Sequence, residues 1–203
     1  MGLSKQALSL NAVDIIKEEI LNANQSWFVM RKPQQNLNIY ELGIVIYLEQ
    51  GEISLYNKKS NSLIINLQAP VVIGLLPLTF NDEIYCVYTK TDCSLYSIKV
   101  EDLKNIINEK RLWKHVFDLL SVYIYQYARI ELIFSNKTAK EVVLGSIKYI
   151  QTLPSEVQEK TSIYDFILSR CALSRSAVYN ELKRLKDSGA ISVRNGVVHT
   201  IAI

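Results

Sequence analysis

The chain has 203 residues, of which 49% are apolar, and 23 Lys and Arg stand against 20 Asp and Glu for a net charge of +3. That length supports one large domain or two modest ones, and the composition excludes a disordered or low-complexity chain. The longest apolar runs, such as Val71 to Leu76, are too short to span a bilayer, and the N-terminal MGLSKQALSL lacks the apolar stretch of a secretory signal, so a cytoplasmic protein with no membrane partner is expected.

Residues 12–24 predict a short amphipathic helix with Val13, Ile16, Ile20 and Leu21 on one side. From Trp27 to Val100 the pattern changes to short β-rich runs: WFVM, IVIYLEQG, EISLYNKK, SLIINLQ, PVVIG, EIYCVYT and CSLYSIKV. Several strands at this spacing predict an antiparallel sandwich or barrel. Lys58 to Asn61 reads as a hairpin turn, and Pro70 and Gly74 mark a bend where a strand ends or kinks.

Glu101 opens a helical region that runs to about Asn136 with a break near Glu109. Its long part is apolar nearly all round. One stripe is Leu112, Val116, Leu119, Tyr123, Ile130 and Ile133; the other is Trp113, Phe117, Leu120, Ile124, Tyr127 and Phe134. Two apolar faces require two partners. One face is expected on the chain's own strands and the other on a second copy, with the Leu112 to Ile133 stripe assigned to the dimer interface. The other reading is a helix buried inside a monomer.

Lys137 to Gln151 predicts another helix, and Leu153-Pro154-Ser155 a loop. Next come a helix, a short turn, a second helix and a small hairpin, which is the order of a winged helix-turn-helix. Ser162 and Asp165 have capping-box spacing, and Ile163, Phe166 and Ile167 share the first helix's inner face. Cys171-Ala172-Leu173 makes the turn, Ser174 is a natural N-cap, and Val178, Leu182 and Leu185 form the second helix's buried stripe. Gly189 ends that helix, and Arg194-Asn195-Gly196 is a hairpin turn whose Asn-Gly pair is a strong signal. Residues 135–203 hold 10 basic and 6 acidic side chains, against 13 and 14 in residues 1–134. A basic C-terminal third points to a polyanion partner, here double-stranded DNA.

Position then assigns chemistry. Arg175, in the first turn of the second helix, is suited to a bidentate bond to guanine, and Asn180 to adenine. Ser176 and Tyr179 complete the base-reading set, while Ser174, Lys183, Arg184 and Arg194 suit phosphates. An enzyme is not expected: there is no ordered Ser-His-Asp set, no G-x-S-x-G, no P-loop, no dinucleotide fingerprint and no metal-spaced His or Cys group. No cofactor and no metal are therefore expected. Three cysteines suit a reducing compartment and give no disulfide framework. Cys86 and Cys93, on consecutive predicted strands with a tight connection, are the redox candidates, against the plainer reading of two reduced core thiols. The alternative function is a protein-interaction module, or a ligand- or redox-responsive regulator, whose winged helix no longer reads DNA.

The whole layout resembles the Crp/Fnr regulators, the family of the cyclic-AMP receptor and the fumarate-nitrate regulator. The segment Leu173-Ser174-Arg175-Ser176-Ala177-Val178, followed by Leu182-Lys183-Arg184-Leu185, is similar to that family's S-R-x-x-V…L-K-x-L recognition helix. The resemblance implies an α+β protein: a cyclic-nucleotide-binding-like β-roll (a double-stranded antiparallel jelly roll) with its N-terminal helix over 1–108, a long dimerisation helix over 109–136, and a winged helix-turn-helix over 137–203. It also implies a homodimer on an inverted-repeat operator, with RNA polymerase as a further candidate partner. Ala172 stands where glycine is common, Glu181 where an apolar residue is usual, and Asn180 at the family's second base-reading arginine. The nucleotide cassette is degenerate: the segment Gly74-Leu75-Leu76-Pro77-Leu78 has Leu75 for the ribose-contacting glutamate, and in Glu83-Ile84-Tyr85 the acid Glu83 aligns with the phosphate-binding arginine. Cyclic AMP is not expected to bind, and the small-molecule ligand is left unidentified. The pattern of Gln68-Ala69-Pro70, Leu112-Trp113 and the closing Val198 to Ile201 further resembles the enterobacterial IprA-type (YaiV-type) branch, which implies a role in oxidative stress through resistance to hydrogen peroxide.

Overall fold

Five consecutive buried residues, Ile44 to Leu48, decide how the N-terminal half is layered. A strand alternates its side chains between two faces, so a run with no polar member must have a core on each side. In the computed structural model, which describes residues 5–78, 84–135 and 138–201, Ile44, Ile46 and Leu48 enter one core while Val45 and Tyr47 enter another.

The elements that build these layers are α1 (Lys5–Asn22), β1 (Trp27–Arg31), a one-turn α2 (Ile39–Leu42), β2 (Ile44–Gln50), β3 (Glu52–Asn57), β4 (Leu63–Gln68), β5 (Val71–Ile73), β6 (Tyr85–Thr89) and β7 (Cys93–Lys99). The strands make a four-stranded sheet in the order β1-β7-β2-β5 and a three-stranded sheet in the order β4-β3-β6, each antiparallel at every pairing. Between the sheets lie Ile46, Leu48, Ile53, Ile73, Val87 and Leu95. This is the expected β-roll. The outer face of the larger sheet is covered by Val13, Ile16 and Ile20 of α1, together with Leu103 and Ile107 of α3 (Val100–Lys110). The predicted N-terminal helix is thus present and longer than its apolar stripe alone indicated. The Lys58 to Asn61 turn closes the β3–β4 hairpin, with the Asn57 side chain accepting from the Lys59 and Ser60 amides at 2.9 Å each.

The break in the helical region falls at Arg111, two residues after the expected position. Arg111 is left-handed, with φ 58°, and closes α3. The long helix α4 then runs Trp113–Phe134. The chain divides into two compact units between Tyr127 and Ala128, so the cut falls inside α4, with Trp113 to Tyr127 in the first unit and Ala128 to Phe134 in the second.

The two stripes of α4 are the reverse of the sequence assignment. Val116 and Leu119 are spent within the roll's own outer core, where Leu119 is 0% exposed, and Leu112 and Tyr123 pack against that core. The Tyr123 hydroxyl donates to the Val72 carbonyl at 2.7 Å. Further along, Ile130 is buried and Ile133 lies against Gly145. Four members of the second stripe are left open: Phe117 is 69% exposed and Ile124 65%, with Trp113 and Tyr127 also exposed, while Leu120 packs against the roll's outer core and Phe134 against the core of the second unit. Both stripes have similar apolar content, so periodicity finds two faces without telling which one meets the roll.

Candidate nucleic-acid interface

The second unit is organised around a buried cluster of Val142, Val143, Ile147, Ile163, Ile167, Val178, Leu182 and Leu185. These come from α5 (Ala139–Ile150), α7 (Ile163–Leu168) and α8 (Arg175–Asp187), with a single turn, α6 (Ser155–Gln158), between the first two. Helix starts are fixed by side-chain caps. Thr138 and Glu141 form a full capping box on α5, a pairing the sequence reading overlooked. Ser162 accepts from the Asp165 amide at 3.3 Å to start α7; among the described residues only this half of the expected box is made. Ser174 accepts from the Ala177 amide at 3.1 Å to start α8. At the other end, Gly189 adopts φ 73° and its amide donates to the Lys186 carbonyl at 2.9 Å.

The hairpin that follows pairs β8 (Ile191–Arg194) with β9 (Val197–Ile201) through Asn195 and Gly196, both at positive φ (50° and 81°). Positive φ at both central residues is the requirement of a type I′ turn. Gly196 has a second reason to lack a side chain. Its carbonyl accepts from the Ile163 amide at 2.9 Å, and a Cβ there would stand 3.1 Å from the Ser162 hydroxyl. The hairpin tip is thereby held against the start of α7.

Residues 140–203 match the family described as winged helix-turn-helix DNA binding. This segment is a winged helix. Across the whole chain, the c-di-GMP responsive global regulator CLP of Xanthomonas campestris is similar in structure, at 14% identity, a TM-score of 0.70 and 94% coverage of this chain against 99% of that one. A protein from Eubacterium rectale assigned to the Crp/Fnr family aligns over 100% of this chain and 91% of its own, at 13% identity and a TM-score of 0.60. The fold is therefore that of the Crp/Fnr-type regulators. In sequence, 150 residues are 27% identical to a protein of Escherichia coli strain K12 named inhibitor of hydrogen peroxide resistance, covering 72% of this chain and 71% of that one.

Within the winged helix, Arg175, Ser176, Tyr179, Asn180 and Lys183 are all exposed, on the side of α8 opposite the buried Val178, Leu182 and Leu185. Two of the residues expected at phosphates carry prior engagements. The Ser174 oxygen serves as the cap and lies 3.0 Å from the Ser176 hydroxyl. Arg184 pairs with Glu181 at 3.1 Å, an exposed pair of the kind worth under about 1 kcal/mol. Arg194 is exposed beside the wing turn. The sequence reading missed two members of this face. Tyr164 and Asp165 line a shallow cleft together with Arg175, Ser176 and Tyr179. Burial, and secondarily Tyr179, push the Tyr164 hydroxyl above its ordinary value. Only their positions on the outer face of the short α7 could have revealed them.

In the roll, Leu75 is 3% exposed and Ile84 is exposed, while Glu83 lies outside the described residues. Gly74 has φ 84°, and a Cβ there would run into the Ile44 carbonyl, so the strand end at Gly74 is a close backbone approach. Gly74 and Leu75 line a cavity of about 390 Å³ with Leu55, Ile65, Tyr85 and the inner side of α4.

Cys86 and Cys93 do not form a pair. They sit on β6 and β7, which belong to different sheets, and Cys86 lies three residues back from the end of its strand, or about 10 Å of extended chain. Both are free thiols. Cys93 is buried and donates to the Glu52 and Thr91 carbonyls at 3.4 Å each. Burial pushes its thiol pKa up, which makes it a poor nucleophile. β6 and β7 are consecutive in sequence but are not neighbours in either sheet, which is why the short connection misled. No group of three or more potential metal ligands occurs among the described residues, and none of their helices is long and apolar enough to cross a membrane.

Proposed function

We propose that the chain is a sequence-specific DNA-binding transcription regulator that acts in the cytoplasm as a homodimer on an inverted-repeat operator. The observation that carries the reading is the arginine in the first turn of α8: Arg175 is exposed, flanked by Ser176 and Tyr179, on a helix anchored from behind by Val178, Leu182 and Leu185. Base edges are reached from that first turn, and an arginine there discriminates guanine. Ser176, Tyr179 and Asn180 join it at bases, with Lys183, Arg184 and Arg194 at phosphates. The uncovered stripe of Trp113, Phe117, Ile124 and Tyr127 supports pairing of two chains along α4. Two readers then enter successive major grooves roughly 34 Å apart, from where such a regulator acts on RNA polymerase.

The roll does not take cyclic AMP in this reading. Leu75 offers no side-chain acceptor for a ribose hydroxyl, and the described residues of the cavity lining include no cation for the phosphate. Micromolar heat of binding in a calorimetric titration with cyclic AMP overturns that part. The name of the E. coli relative supports a regulon in peroxide defence.

The direct test of DNA reading is charge reversal. R175E and K183E are expected to lose retention of duplex DNA at low salt, and the wild-type affinity to fall steeply with salt through counterion release. Unchanged retention in both variants favours the protein-interaction reading of the winged helix.

A further inference from the structure

Tyr179 is the one exposed aromatic residue among the described residues of the second unit. It stands on α8 four residues, and so about one turn, after Arg175. On α7, Tyr164 and Leu168 have the same spacing, and both are half-buried. These four side chains line one shallow cleft with Asp165 and Ser176. Leu168 and the two phenol rings make much of that lining apolar. Burial, and secondarily Tyr179, hold the Tyr164 hydroxyl above its ordinary value, so the phenol is neutral at any working pH. Arg175 and Asp165 give the cleft one charge of each sign. The exposed Asp165 carboxylate repels a phosphate, unlike the Lys183 and Arg194 positions. The chemistry of the cleft therefore suits an apolar group on a base. In the major groove only thymine carries one, its C5-methyl.

We propose that the cleft between α7 and α8 reads the methyl group of a thymine one or two base pairs from the guanine assigned to Arg175. The inference rests on the DNA-reading proposal and deepens it: it names the chemical group that Tyr179 meets, and it adds Tyr164 and Leu168 from outside the recognition helix. The spacing follows from helix geometry. Four residues of α8 rise about 6 Å, against about 3.4 Å for each base pair. Ser176 and Asn180 read hydrogen-bonding edges, whereas this contact is apolar. It separates thymine from uracil, which has the same edges without the methyl.

The test uses the full chain and the duplex it selects from a random pool, with deoxyuridine replacing each thymine of a half-site in turn. At one position, within two base pairs of the guanine whose preference R175A loses, binding is expected to weaken about fourfold, the value of one buried methyl group. At that same position 5-methylcytosine is expected to bind better than cytosine. Y179A, which removes an exposed ring, is expected to fold as the parent does and to lose both differences. L168A is expected to lose them too, and Y179A decides the matter if L168A does not fold. K183A, at a phosphate, is expected to weaken thymine and uracil duplexes alike and so to keep their ratio. A selected half-site with no thymine in that window, no weakening by deoxyuridine there, an undiminished ratio in Y179A or in folded L168A, or a ratio lost in K183A each overturns this proposal while leaving Arg175 as a reader. Failure of the parent to select any sequence overturns the DNA-reading proposal and this one with it.

Discussion

Arg175 is the residue on which recognition turns, and its exposure separates its role from stability. Arg175 is exposed and outside the buried core of the second unit, so R175A is expected to melt with the parent. It is also expected to lose about 1–3 kcal/mol of discrimination at one base pair of each half-site, read as the ratio of cognate to mismatched duplex binding. A uniform loss across all sequences would mean a phosphate contact instead. Gly196 is the opposite case, a residue with no chemistry of its own. Its φ of 81° and the nearby Ser162 hydroxyl leave a side chain no unstrained place. G196A is expected to cost about 1–2 kcal/mol, visible as a lower urea midpoint for the second unit. An unchanged midpoint would show that the tip relaxes freely away from α7.

Among the elements, α4 makes the sharpest prediction. Leu119 is fully buried in the roll's outer core and Phe117, two residues earlier, stands in the open. L119A is expected to destabilise by about 2–5 kcal/mol, while F117A leaves the monomer's stability nearly unchanged and weakens self-association, measured by sedimentation. The reverse pattern would restore the stripe that the sequence reading chose for the dimer. That reading located the strands, the winged helix, Ser174 as a cap and Asn195-Gly196 as a turn, because each is set by local chemistry: side-chain alternation, a hydroxyl at an N-cap, a glycine at positive φ. It failed where a choice depended on which element lies next to which. The two faces of α4 are equally apolar, so only the position of the roll distinguishes them. Cys86 and Cys93 are close in sequence, but their strands enter different sheets. Tyr164 and Asp165 joined the Arg175 cleft because α7 packs beside the start of α8, a tertiary fact invisible in either helix alone.

For the molecule as a whole, two half-buried tyrosines are expected to set an alkaline limit. Tyr85 and Tyr123 have folded-state pKa values raised above 10, chiefly by burial, whereas in the unfolded chain they titrate near about 10. The unfolded state therefore gives up protons first as pH rises. The contribution to stability is intact below about pH 10 and is lost as pH climbs from there toward the folded-state values. Urea midpoints are expected to be level from pH 7 to 9 and to fall by pH 11, with a shallower fall in Y85F/Y123F than in the parent; identical slopes would remove these groups as the cause. In the proposed mode of binding, two chains present Arg175 to successive grooves of one duplex. It is tested most directly by selecting bound duplexes from a random pool with the purified full-length protein and with R175A. The parent is expected to enrich an inverted repeat with half-site centres about 10–10.5 base pairs apart, and R175A to lose preference at one position in each half. Recovery of no preferred sequence, or of a single unrepeated half-site, would contradict it.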